Sequence, residues 1–130
     1  MPKPSYLKLS RRERQIMDVL YQKGQATAAE IQSTIADPPS YSAVRAKLSI
    51  MEDKGYVDHI YDGPRFIYRP IVQRKNAEKT ALSHMMDTFY DNSVEKAVTA
   101  LFEHNETAMS DEQLERLAAM IEKARGNNDE

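Results

Sequence analysis

Apolar positions recur with a helical period over the first third of the chain. Ile16, Met17 and Leu20 fall on one helix face. Ahead of them, Ser10-Arg11-Arg12-Glu13 has the capping-box pattern, in which a hydroxyl and a carboxylate three residues on each satisfy a free backbone N–H. Gly24 is placed to end this helix in a left-handed cap. Thr27-Ala28-Ala29-Glu30 repeats the pattern ahead of Ile31 and Ile35, and Asp37-Pro38-Pro39 stops the second helix. Val44, Leu48 and Met51, at i, i+4 and i+7, predict a third helix capped by Ser40 or Ser42 and ending near Lys54-Gly55. The period then changes. The runs 56-YVDHIY-61 and 65-RFIYRP-70 are short, rich in aromatic and β-branched residues, and separated by Asp62-Gly63-Pro64, which predicts a hairpin. Pro70 falls at its end, where a missing donor matters least.

Helical periodicity returns after Pro70. Leu82, Met85, Met86 and Phe89 form one stripe, Asp91-Asn92 breaks it, and Val94, Ala97, Val98, Leu101 and Phe102 form a second. Ser110-Asp111-Glu112-Gln113 is a further capping box, with Met109 and Leu114 placed as a staple, and Leu114, Leu117, Ala118 and Ile121 form a third stripe. The tail, residues 126–130, is expected to fray. The fold class is therefore mainly α with a small β-hairpin. Residues 1–72 form a winged helix-turn-helix domain for DNA binding, and residues 73–130 a three-helix dimerisation domain. The second segment is too short to bury three apolar stripes on itself. Either a second copy of the chain, the expected partner, or the N-terminal domain itself must cover Leu82, Met85, Met86, Phe89, Val94, Val98, Leu101, Phe102, Leu114, Leu117 and Ile121. Such a homodimer sets two recognition helices about one turn of DNA apart.

Charge sharpens this division. The net charge of −2 is uninformative alone, but residues 1–75 hold 13 Lys+Arg against 8 Asp+Glu, a net of +5, and residues 76–130 hold 5 against 12, a net of −7. A basic front half on an acidic back half suits a polyanionic partner. The absence of cysteine removes disulfides, thiolate metal sites and thiol nucleophiles. His59, His84 and His104 are scattered without metal-ligand spacing, and there is no Gly-rich phosphate loop or G-x-S-x-G. The expectation is a protein that is not an enzyme and has no metal and no cofactor. No run resembles a signal peptide or approaches the ~20 apolar residues of a membrane span, so a cytoplasmic protein without membrane insertion is expected.

Opposite the buried stripe of the third helix lie Ser42, Arg45, Ala46, Ser49 and Asp53, mostly short side chains with one long cation. A helix that enters the major groove must bring its backbone close to the base edges, which short residues permit, while serine and arginine reach phosphates or bases. The expected DNA-binding residues are Ser40, Ser42, Ala43, Arg45, Ala46 and Ser49 on this helix, with Arg65 beside the hairpin turn. Arg11 and Arg12 stand at the start of the first helix, where Arg14, Lys3 and Lys8 add to the charge. Two other uses of the same features are a docking face for a partner protein, and a regulator gated by a small molecule held in the dimer interface.

The strings LSRRERQIMDVLYQKGQATAAEI and SYSAVRAKLSIMEDKGYVDH, and the hairpin ending FIYRP, together resemble the penicillinase-repressor family of bacterial transcription factors over residues 7–122. The resemblance implies a winged-helix N-terminal domain, a helical C-terminal dimerisation domain, and repression through double-stranded operators of dyad symmetry. Ala43 and Ala46 stand where members usually carry threonine, and Ile50 where arginine is frequent. Penicillin-responsive members are inactivated by a membrane sensor metallopeptidase at an Asn-Phe bond. The aligned pair here is Leu101-Phe102, which the resemblance marks as the cleavage position, with Leu101 in place of the asparagine. The copper-responsive branch uses Cys-x-Cys motifs, which this chain lacks.

Overall fold

The first helix begins where its capping box predicts. In the computed structural model, which describes residues 4–104 and 109–128, α1 spans Arg11–Lys23. The Glu13 N–H donates to Ser10 Oγ at 3.2 Å, and the Ser10 N–H donates to Glu13 Oε1 at 2.9 Å. A short 3-10 turn, Tyr6–Lys8, precedes it, and Gly24, at φ 86°, closes it. The second box is equally complete. Glu30 N–H to Thr27 Oγ1 is 3.2 Å and Thr27 N–H to Glu30 Oε1 is 3.1 Å, and they start α2, Ala28–Thr34. This helix ends three residues before Asp37, earlier than its stop signal, because Ile35 already has extended backbone. Gln32 Nε2 donates to the Pro39 carbonyl at 3.1 Å and ties the turn that follows. Ser40, and not Ser42, caps α3, Tyr41–Asp53, by accepting the Ala43 N–H at 3.2 Å.

The hairpin forms as expected, with β2 Val57–Asp62 and β3 Arg65–Pro70 antiparallel, His59 opposite Tyr68 and Tyr61 opposite Phe66. To keep the numbering in chain order, β1 is Ala26–Thr27, a two-residue strand that pairs with β3 through Ala26↔Tyr68 and Thr27↔Ile67. The sheet is thus three-stranded, in the order β1-β3-β2, where the sequence indicated only a hairpin. Two residues are too few to show an alternating pattern, so nothing local announces β1.

Ile16, Met17 and Leu20 of α1, Ile31 of α2, Val44, Leu48 and Met51 of α3, and Val57 of β2 are fully buried together. The apolar stripe of α3 is therefore spent on the core, and the opposite face is left to solvent. At roughly 1.5–3 kcal/mol for each large apolar side chain, this burial fixes how α3 is presented. Polar ties add to it: Lys54 Nζ to Glu13 Oε2 at 3.2 Å, and Tyr21 Oη donating to the Val72 carbonyl at 2.9 Å.

Contacts divide the chain into two compact units, Met1–Asp91 and Asn92–Glu130. The first unit includes α4, Arg74–Phe89, because this helix packs on the Tyr6–Lys8 turn and buries Ala77. By contacts α4 thus groups with the first unit, whereas the sequence grouped it with the two helices that follow. Asp91 and Asn92, at φ 52° and 57°, form the break; both are residue types that tolerate left-handed backbone. The second unit holds α5, Val94–His104, and α6, Asp111–Asn128. The third capping box is present here, with Gln113 N–H to Ser110 Oγ at 3.1 Å and Ser110 N–H to Gln113 Oε1 at 2.9 Å. The tail expected to fray from residue 126 is instead helical through Asn128; residues 129 and 130 lie outside the described residues, as does Lys3.

Candidate nucleic-acid interface

Burial of Val44, Leu48 and Met51 turns Ser42, Ala43, Ala46, Ser49 and Asp53 outward, all exposed. Ser40 Oγ and Ser42 Oγ lie 3.3 Å apart at the start of this face. Ile50, which the sequence flagged only as a departure from a family pattern, is 45% exposed and extends the face with an apolar flank beside Ala43 and Ala46. The helix thus offers a low surface, with hydroxyls along its crest and methyl groups to one side.

Arg45 does not stand free on this crest. It follows Ser42 by three residues, about 60° around the helix at ~100° per residue, on the side turned to the hairpin. Its guanidinium carbon lies 6.0 Å from the Tyr41 ring centre and 5.8 Å from that of Phe66, within cation–π range. The hairpin face it meets is aromatic: His59 stacks on Phe66 at 4.1 Å, and Tyr61 meets Phe66 edge-on at 5.0 Å. His59 Nδ1 pairs with Glu52 Oε1 of α3, which ties helix to wing about two turns beyond Arg45. Burial pushes the Tyr68 phenol pKa up, against the Arg45 guanidinium beside it, which acts to lower it.

Between α3 and the hairpin runs a notch of about 160 Å³, lined by Tyr41 and Arg45 of α3, by Pro64, Arg65, Phe66 and Tyr68 of the hairpin, and by Thr27, Ala28 and Ala29 at the start of α2. Arg65 is exposed and its guanidinium bonds Asp62 Oδ2 at 2.6 Å across the hairpin turn. Glu30, at the cap of α2, is held below its ordinary pKa by the Thr27 backbone N–H and then by the Thr27 hydroxyl.

The N-terminal arginines separate in their roles. Arg11 is exposed, but Arg12 donates to Gln15 Oε1 at 3.0 Å and to the Asp37 carbonyl at 2.8 Å, so it fastens α1 to the loop before α3. Sequence reasoning overlooked Tyr41, Phe66, Tyr68 and Ile50. The alternation of His59, Tyr61, Phe66 and Tyr68 on one hairpin face was the signal available for the aromatic half of that set.

The residues expected at a dimer face are largely uncovered within one chain. In the first unit Leu82, Met85 and Phe89 are exposed and Met86 half-buried; in the second, Val94, Val98, Leu101, Phe102, Leu114 and Ile121 are exposed and Leu117 half-buried. Among the described residues, no helix is long and apolar enough to cross a membrane, and no cluster of three or more His, Asp or Glu is placed to hold a metal ion.

Comparison with protein families matches residues 9–123 to the family described as Penicillinase repressor. Comparison with curated proteins finds no match.

Proposed function

The chain belongs to the penicillinase repressor family, a family of DNA-binding transcriptional repressors, and on that premise we propose that it acts in the cytoplasm as a homodimer on an operator of dyad symmetry. In this reading residues 1–72 meet the DNA and residues 73–130 join the two copies. The α3 face of Ser42, Ala43, Ala46, Ser49 and Ile50 lies in the major groove. There serine hydroxyls meet polar base edges or phosphates, and the apolar flank contacts thymine methyl groups. The hairpin turn with Arg65 lies against the backbone, and Arg11 adds a phosphate contact from α1. The exposed stripes Leu82–Met85–Phe89 and Val94–Val98–Leu101–Phe102 supply the surface a second copy would cover.

Release from the operator would follow cutting of the Leu101–Phe102 bond by a membrane sensor metallopeptidase. Both side chains lie exposed on α5, within the part that joins the copies. A cut there would weaken dimerisation, and with it the avidity of two linked reading heads.

The carrying observation is the low, exposed face of α3, backed by the fully buried Val44, Leu48 and Met51 and flanked by the hairpin. The test is fluorescence anisotropy with the promoter fragment of the protein's own gene and with a scrambled duplex. Promoter DNA should bind more tightly. With about 6–10 phosphates engaged, affinity should fall about 10³–10⁵-fold between ~50 and ~200 mM salt. Binding that ignores salt, or no binding at micromolar dimer, would overturn the reading.

A further inference from the structure

We propose that the notch between α3 and the hairpin seats one phosphate of the DNA backbone, and that Arg45 is a backbone clamp, not a reader of guanine. This rests on the DNA-binding reading and assigns a separate task within it.

Two guanidinium groups from different elements, Arg45 of α3 and Arg65 of β3, line this one concavity of about 160 Å³. The rings of Tyr41 and Phe66 lie about 6 Å from the Arg45 guanidinium carbon and fix where it can reach. A guanidinium packed on rings keeps N–H donors at its edge, in a geometry suited to two oxygens of a phosphate. Ser42, Ala46 and Ser49 form the crest of α3 and meet base edges first, whereas Arg45 is turned about 60° aside toward the wing. A strand that passes from the α3 groove to the hairpin crosses this notch with its backbone. Among the described residues the acidic group bonded to either arginine of the notch is Asp62, on Arg65; that pair is exposed and therefore weak, so a phosphate can take its place.

The assignment separates two behaviours that the sequence alone leaves merged. A guanine-reading arginine, once removed, relaxes preference at one base pair. A phosphate clamp, once removed, weakens every sequence alike and lowers the salt slope by about one.

The experiment uses the full-length protein and an operator selected from a random duplex library. Backbone phosphates are replaced one at a time by neutral methylphosphonates, and guanines by 7-deazaguanine. For the unaltered protein, one methylphosphonate per half-site should weaken binding about tenfold. Arg45→Ala should bind normal DNA about tenfold more weakly and be indifferent to that same methylphosphonate, with its selected base preferences unchanged. Asp62→Asn, which frees Arg65, should tighten binding to all sequences, a gain that misfolding cannot imitate. Inorganic phosphate at millimolar concentration should not compete, which separates a backbone seat from a free-anion site. Coupling of Arg45 to a 7-deazaguanine position, or relaxed preference at a single G·C pair in Arg45→Ala, would overturn the proposal while leaving DNA binding intact. Binding that ignores salt for every variant would instead overturn the reading beneath it.

Discussion

Replacing Glu13 tests how α3 is held. Glu13 is 3% exposed, and both of its oxygens are used: Oε1 accepts the Ser10 N–H at 2.9 Å and Oε2 the Lys54 ammonium at 3.2 Å. It therefore joins the first turn of α1 to the C-cap of α3, 41 residues away. Burial by itself would raise its pKa. The Ser10 N–H, the Lys54 ammonium and the Ser10 hydroxyl outweigh that, and the carboxyl is held below its ordinary value of 4.5.

Glu13→Ala loses the reciprocal half of the cap, about 1 kcal/mol. It also loses the pair with Lys54, at most about 1 kcal/mol because Lys54 is 54% exposed. The sum is about 1–2 kcal/mol, or a fall in Tm of roughly 5–15 °C for a domain of this size. Glu13→Gln keeps an acceptor for Ser10 and should lose less than half of that. The sign with pH follows from the depressed pKa. Such a carboxylate adds stability above its unfolded value, and that stability drains away as pH falls through the folded value. The gap between the unaltered protein and Glu13→Gln should thus be present at neutral pH and close below about pH 4.5. Circular-dichroism melts at one protein concentration, from neutral pH down to about 3, would measure it, the fixed concentration keeping mass action the same for each variant. An alanine variant that melts with the unaltered protein, or a gap that widens in acid, would refute the reasoning.

Two further predictions concern the surfaces left open. Phe89→Asp combined with Leu101→Asp places charges at positions 72% and 67% exposed in one chain. It should leave the helix content unchanged while sedimentation changes from dimer to monomer and operator affinity drops, and a dimer that survives would place the interface elsewhere. At the α3 flank, replacing operator thymines with deoxyuridine should cost roughly fourfold per methyl group contacted, about the worth of one buried CH₂. Ile50→Ala should then lose its sensitivity at one of those positions in each half-site, as read by anisotropy on the substituted duplexes.

Elements whose signals are local were legible in the sequence. Three capping boxes began helices at the residues named, because each box is a hydrogen-bonded pair within four residues. The core stripe of α3 was legible for the same reason: period alone places Val44, Leu48 and Met51 together. Asp91-Asn92 ended a helix through its own backbone preference. The features that escaped depend on partners far along the chain. β1 exists only because Ala26 and Thr27 lie beside Tyr68 and Ile67, and α4 joins the first unit through packing that includes the Tyr6–Lys8 turn.

The same distinction governs the charges, with a consequence for binding. Residues 1–75 carry 13 cationic side chains, and a count from sequence treats each as available to phosphate. The fold commits several of them first. Arg12 is spent on the Asp37 carbonyl 25 residues away, Lys54 on Glu13, Arg69 on Asp58 at 3.0 Å, and Arg65 is paired with Asp62 until something displaces it. Arg45 is aimed by two rings, one of which comes from the hairpin. In the proposed complex Arg11 and Arg45 would therefore contribute to counterion release directly, Arg65 only by exchange, and Arg12, Lys54 and Arg69 chiefly by holding the surface in shape. The salt slope of each protomer should accordingly be set by a few cations, well below what the 13 cationic side chains of this half suggest. Removing Arg12 should lower stability more than it lowers that slope.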